Sequence, residues 1–251
     1  MKLGAQFYSL RTECKTPEDL RNTMKKVKEI GYDIMQASSI CEIDPYQFRS
    51  FIDETDLPVT CTHKSYEAIV NDTDNLIKFH QIIGCKTIGL GGMPLEHRAS
   101  LDGLKNFVAT MKDPIKKIND AGLRFAYHNH AFEFEPIEGV RIYDYLIEEL
   151  PDMDFIHDVY WSTYAGEDPA KYIKLLGEAG RMIDIHFKDM ISAPQGAICP
   201  CGDGIIDFAP LVPLCESVGI KNVQVEQDNA PDLGDVFEQM KRSHDHLRPM
   251  F

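Results

Sequence analysis

Positive charge is scarce in this chain: 26 lysines and arginines face 40 aspartates and glutamates, a formal net charge of −14 over 251 residues. Nucleic acids and anionic membranes need clustered cations, so a broad surface for either is excluded, though a local basic pocket is not. Cysteine is sparse and odd in number, seven residues scattered at 14, 41, 61, 85, 199, 201 and 215. That spread fits reduced thiols better than a disulfide framework. Cys199-Pro-Cys201 is a single CxC without a second pair and reads as an ordinary loop. No apolar run approaches membrane-spanning length, and the opening M-K-L-G-A-Q-F-Y-S-L enters a strand pattern rather than a secretory leader. A cytoplasmic protein is therefore expected. Low-complexity segments and Pro/Gly/Ser linkers are missing, which predicts one domain over 1–251. Also missing is a Gly-rich phosphate fingerprint after the first strand, which argues against an open dinucleotide-binding sheet.

What is present is one unit repeated eight times: an apolar run, a polar loop, then an amphipathic stretch often closed by Gly. The first unit has a strand at 3–10 and a helix at about 16–30, with Thr16 as N-cap, Pro17 at the first turn and Gly31 beyond. Further strands fall at 32–38, 58–63 and 87–91, with helices at about 44–55, 72–83 and 101–121. Pro114 lies inside the last of these and predicts a kink or break. The remaining strands read F-A-Y-H-N-H, F-I-H-D, I-D-I-H-F-K and V-Q-V-E. Their helices are expected near 142–150, from Asp168-Pro169 to Gly180, at about 207–218 and at about 233–247. Eight strands alternating with eight helices predict an α/β fold, a single-domain (β/α)8 TIM barrel.

Four strands of the second half each end on a metal-capable side chain: His128, Asp158, His186 and Glu226, spaced by 30, 28 and 40 residues. A closed ring of parallel strands gathers its strand ends at one mouth, so distant residues can converge on one ion. Charged groups beside apolar runs are costly unless they pair or bind metal. With mixed nitrogen and oxygen donors and no cysteine, one divalent ion is expected, Mn²⁺ first, with Zn²⁺, Co²⁺, Mg²⁺ or Fe²⁺ as alternatives. Period-two reasoning adds Lys188 beside His186 and His130 beside His128. Gln6 and Tyr8 end the first strand, Gln36 the second, and His63 with Lys64 the third; Trp161 and Tyr164 follow Asp158. Aromatic faces among polar groups suit a sugar ring, which makes Gln6, Tyr8, Gln36, His63, Trp161 and Lys188 candidate substrate contacts.

Several segments resemble the xylose isomerase-like TIM barrels. They are H-F-K-D at 186–189, D-x-Y-W at 158–161, A-G-E-D-P at 165–169, G-D-G-I-I-D-F at 202–208 and V-E-Q-D at 225–228. Y-H-N-H-A-F-E-F at 127–134 resembles the sugar phosphate isomerase/epimerase branch, and the resemblance spans essentially the whole chain. It implies a divalent metal held by one residue from each of strands five to eight. Asp158, His186 and Glu226 match the family's positions. At strand five the tagatose- and psicose-epimerase type carries Glu, where this chain has His128; Glu133 or Glu135 would supply the carboxylate if the register differs. Barrels of this family often pair, so a homo-oligomer is compatible with the resemblance.

The chemistry implied is proton abstraction next to a carbonyl of a small-molecule carbohydrate, phosphorylated or not, through an ene-diolate. Glu226 is the candidate base, and Lys188 or His130 returns the proton or protonates a leaving group. Return to a neighbouring carbon gives isomerisation, and return to the opposite face gives epimerisation. Loss of a β-oxygen substituent gives a lyase acting on keto-sugars or 3-keto-glycosides, as in an inosose dehydratase. A DNA-repair endonuclease of this fold is disfavoured by the charge. A non-catalytic sugar-binding or partner subunit is the remaining alternative.

Overall fold

A computed structural model describes residues 1–193 and 195–251. Eight parallel strands close on themselves: β1 (Lys2–Gln6), β2 (Ile34–Ala37), β3 (Val59–Lys64), β4 (Thr87–Leu90), β5 (Arg124–His128), β6 (Asp154–Asp158), β7 (Met182–Phe187) and β8 (Asn222–Val225). Each pairs with its sequence neighbour, and β8 returns to β1 through Leu3 opposite Val223. This is the predicted single-domain TIM barrel. The outer layer comprises α1 (Pro17–Ile30), α2 (Pro45–Thr55), α3 (Thr73–Ile83), α4 (Leu101–Asp120), α5 (Ile142–Glu149), α6 (Pro169–Glu178), α7 (Leu211–Ser217) and α8 (Val236–Leu247). No helix among the described residues is long and apolar enough to cross a membrane.

Local chemistry sets the helix starts. Thr16 accepts from the Asp19 N–H while Asp19 reaches back to the Thr16 N–H, a capping box ahead of Pro17. Asp44, Asp168 and Asp235 cap α2, α6 and α8 in the same sense. Three expectations shift. The first strand ends at Gln6 rather than 10, because the Gln6 side chain accepts the Tyr8 N–H and starts a 3-10 helix over Phe7–Glu13 that holds Tyr8. Helix α4 runs unbroken through Pro114, whose ring is buried in the core. Burial of that ring, with 20 residues of continuous helix around it, offsets the roughly 3 kcal/mol cost of an interior proline. Helix α7 begins at Leu211 rather than 207, because Phe208 to Pro210 form a turn with the Phe208 carbonyl accepting from Leu211 and Val212. Short helices at Tyr66–Asn71 and Val159–Tyr164, and hairpins pairing Pro136–Ile137 with Val140–Arg141 and Asp189–Met190 with Ile198–Cys199, were not predicted.

Strand alternation sorts the side chains into two cores. Phe125, Tyr127, Phe155, Ile185, Phe187, Val223 and Val225 face the helices and join the main core. Inside the barrel Cys61, Ala126 and Ile156 form a small apolar plug. Two residues farther along the same strands come His63, His128 and Asp158, so the site is the next layer up. Asp184 and Gln224 stand one layer below His186 and Glu226 by the same count.

Candidate metal centre and substrate cavity

The four strand-end ligands meet. His128, Asp158, His186 and Glu226 are all buried, and one potential ligand atom from each lies within 4.8 Å of the others. Neighbouring groups aim those atoms. His128 Nδ1 lies 3.2 Å from the Gly91 carbonyl oxygen, which can only accept, so Nδ1 carries the proton. Its Nε2 lone pair then points at Asp158 Oδ2, 3.4 Å away. In the same way His186 Nε2 donates to Gln36 Oε1 at 2.6 Å, leaving Nδ1 facing Glu226 Oε2 at 3.1 Å and Asp158 Oδ2 at 3.8 Å. Asp158 is fixed because its Oδ1 accepts from the Trp161 N–H and its backbone N–H donates to Asn129 Oδ1. Gln6 Nε2 donates to Glu226 Oε1 at 2.6 Å, and Gln6 Oε1 accepts from the Tyr8 N–H.

Two imidazole lone pairs and two carboxylates aimed at one point repel one another unless a cation joins them. Burial, reinforced by the neighbouring His186, holds the His128 imidazole well below its ordinary value, so it is neutral and a competent ligand. The donor set therefore fits a divalent ion.

Charge counting gives the same answer. The Lys188 ammonium is buried 3.2 Å from Asp158 Oδ2, 2.8 Å from Glu226 Oε2 and 3.0 Å from Asp228 Oδ1. Burial alone would lower it, but Asp158, Asp228 and Glu226 together hold it well above the usual lysine range. Burial would raise the Glu226 carboxyl, but Lys188 holds it well below its ordinary value. Three carboxylates around one ammonium leave a surplus of two negative charges, which a divalent cation cancels. Asp228 had no assigned role, although it lies two residues past Glu226 and shares its side of the chain. Its carboxyl is pushed up to about 6 by burial, Lys188 opposing.

Above the cluster opens a cavity of about 550 Å³. Gln6, Tyr8, His63, His128, His130, Lys188, Glu226 and Asp228 line it, together with Ser38, Ser39 and residues 64–67 and 90–94. His63 Nε2, His130 Nδ1 and Trp161 Nε1 are buried without hydrogen-bond partners. Burial first, then the nearby His128, lowers both His63 and His130, the latter to about 3. Trp161 touches the His130 ring at 5.3 Å and lies 5.3 Å from the Lys188 ammonium, behind the cavity wall. Gln36 also stands outside the cavity lining, and its side-chain hydrogen bond among the described residues is to His186. Lys64 follows His63 on β3 and also lines the cavity, its ammonium 4.6 Å over the Phe79 ring. Arg98 stacks 3.8 Å over Phe132, and Tyr164 packs on Trp161. Glu133 is buried away from the cluster and Glu135 is exposed, so neither stands in for His128.

The long loop after β7 is fastened by Asp189. Its carboxylate accepts from the N–H groups of Met190, Gly202, Gly204 and Ile206. A Cβ at Gly204 would overlap that carboxylate, so the G-D-G-I-I-D-F motif is the shape of this anchor.

Comparison with known proteins agrees with this fold. A sugar phosphate isomerase/epimerase from Parabacteroides distasonis ATCC 8503 superposes with a TM-score of 0.79 at 20% identity, covering 98% of this chain and 93% of that one. D-allulose 3-epimerase from Methylomonas sp. gives 0.73 at 16% identity over 100% and 98%. A probable 3-DHS dehydratase involved in petrobactin synthesis, from Bacillus anthracis, gives 0.76 at 12% identity over 99% of both. No curated protein matches the chain in sequence. The model of the xylose isomerase-like TIM barrel family matches residues 24–249, and the chain belongs to that family.

Proposed function

We propose that residues 1–251 form one divalent-metal-dependent enzyme that isomerises or epimerises a sugar by removing a proton next to its carbonyl. The observation that carries this reading is the convergence of His128, Asp158, His186 and Glu226, all as acceptors, on the floor of an open polar cavity. A divalent ion held by those four, Mn²⁺ suiting them best, supplies Lewis acidity toward the carbonyl and an adjacent hydroxyl. Glu226, ionised and oriented by Gln6, is the base on the carbon next to the carbonyl. Lys188 stays protonated and hydrogen-bonds the oxygen on which charge develops. His130, neutral with Nδ1 unpaired, moves the proton, while His63 Nε2 and Tyr8 meet substrate hydroxyls.

An uncharged sugar suits this cavity better than a phosphorylated one, because carboxylates outnumber cations in its lining. Lys188 is already neutralised by carboxylates, Lys64 sits over Phe79 and Arg98 over Phe132. A phosphate group would face Asp228 and Glu67 in the cavity lining, with Lys64 the lining cation left to receive it. A second reading, elimination, is favoured by His128: with histidine on β5, one carboxylate base serves the substrate carbon. A dehydratase among the structural neighbours is in keeping with it.

The test is deuterium incorporation from D₂O by NMR, with Mn²⁺-loaded protein and free ketoses, their phosphate esters and 3-keto-glycosides. Exchange next to the carbonyl of free sugars, lost in Glu226→Gln, is expected. Release of a β-substituent without epimerisation selects the lyase. No exchange with any substrate refutes enolisation and leaves a binding subunit.

A further inference from the structure

Glu133 is an acid that neither the metal cluster nor the cavity uses. It is fully buried, and its two oxygens receive donors from β5 and from the segment just past it, the first of which is itself bonded to the segment after β4. The His130 backbone N–H donates to Oε2 at 2.7 Å, and the Tyr127 hydroxyl donates to Oε1 at 2.6 Å. The Tyr127 oxygen in turn accepts the Met93 N–H at 3.1 Å. Because Met93 fills the acceptor side of the phenol, the phenolic proton goes to Glu133 and the chain of bonds has one direction. Met93 stands on the segment after β4 and His130 just past β5, and both line the cavity. Gly92 lies between them, where a Cβ would stand 3.1 Å from His130 Cε1.

We propose that Glu133 is a positioning residue that clamps these two walls from behind the barrel and so sets the place of the His130 imidazole. Among the described residues the His130 side chain makes no hydrogen bond, and its Nδ1 is buried and unpaired. Its ring is held by stacking, 5.7 Å from Phe132 at an interplanar angle of 14° and 5.3 Å from Trp161. A ring without a polar anchor takes its position from its backbone, and the backbone is what Glu133 holds. A glutamine could accept only one of the two donors and would turn an N–H against the other. This inference rests on the reading that His130 acts on the substrate.

Two measurements test it, both on Zn²⁺-loaded full-length protein. In ¹⁵N-histidine-labelled protein, with the His130 signal identified by His130→Ala, that imidazole resonance is expected to move in Glu133→Gln and Tyr127→Phe. It should stay in place in Glu135→Ala, a change at an exposed site. In the exchange assay Glu133→Gln is expected to cost about tenfold in kcat, and less than about twofold once His130 is alanine, because the first loss acts through the second residue. Circular dichroism checks that the isosteric variants fold. An unmoved resonance overturns the clamp, and so does an equal loss in both backgrounds. If no sugar exchanges even in wild type, the proposed function fails, and the resonance still decides the clamp.

Discussion

Replacing Gln36 by methionine separates two roles that one residue cannot play at once. Gln36 is fully buried, stands outside the cavity lining and accepts the His186 Nε2 proton at 2.6 Å. Methionine conserves most of the volume but removes the acceptor. The His186 N–H is then left unsatisfied in a dry site, at a cost of about 1–3 kcal/mol. The imidazole relieves that cost by moving its proton to Nδ1, toward Glu226 and Asp158, where the proton competes with a metal ion. Partners of this kind change metal affinity by about 10–100-fold, which is roughly 1.4–2.7 kcal/mol of binding free energy. Competition with a fluorescent chelator for Mn²⁺ at fixed pH measures this directly, and a melting curve checks the fold. An Mn²⁺ affinity within about twofold of wild type, with only KM for sugar changed, would return Gln36 to the substrate and refute the tautomer argument.

Other perturbations have equally definite outcomes. Lys188→Met leaves Asp158, Glu226 and Asp228 facing one another; the metal-free protein is expected to lose about 3–5 kcal/mol, with Mn²⁺ raising Tm more than in wild type. Equal Tm shifts in the two proteins would contradict the charge count. Burial pushes the Glu133 carboxyl from 4.5 up to about 7, so the folded state holds its proton more tightly than the unfolded chain. Its contribution is full below 4.5 and is lost as pH rises through 7, at most about 3 kcal/mol, so urea unfolding from pH 5 to 8 is expected to show a shallower decline in Glu133→Gln. Parallel curves would exclude Glu133 as the source. Gly89→Ala places a methyl group on the Thr62 carbonyl between β3 and β4, with an expected loss of about 1–3 kcal/mol in denaturant melts. Wild-type stability there would mean that the two strands can separate to admit it.

The barrel and the ligand set are visible in the chain because each depends on short-range pattern. Strand runs ending in His128, Asp158, His186 and Glu226 repeat at unit spacing, and a ring of strands turns that spacing into proximity. Features that depend on contacts between units are not visible. Pro114 signals a break, yet its environment in the core keeps α4 whole. Gln36 ends a strand as a substrate contact would, and only the position of His186, 150 residues away, shows what it touches. The Met93–Tyr127–Glu133–His130 chain joins two loops through one phenol. Asp228 was legible by period two, since Glu226 inward places Asp228 beside it, whereas Lys64 joins the cavity lining directly after His63.

The anchoring of the loop after β7 at its base makes that segment a replaceable module. Asp189 gathers four backbone amides next to Lys188, while farther out the loop is tied by Tyr160 to the Gly196 carbonyl and by Asn229 to the Ile198 carbonyl. Sequence between the hairpin pair can therefore be exchanged or lengthened while the ammonium keeps its register against the three acids. A loop grafted onto Asp189, Gly202, Gly204 and Ile206 would leave Lys188 and its three acids in place. The outer loop and the buried cluster are in that sense free to change separately in this barrel.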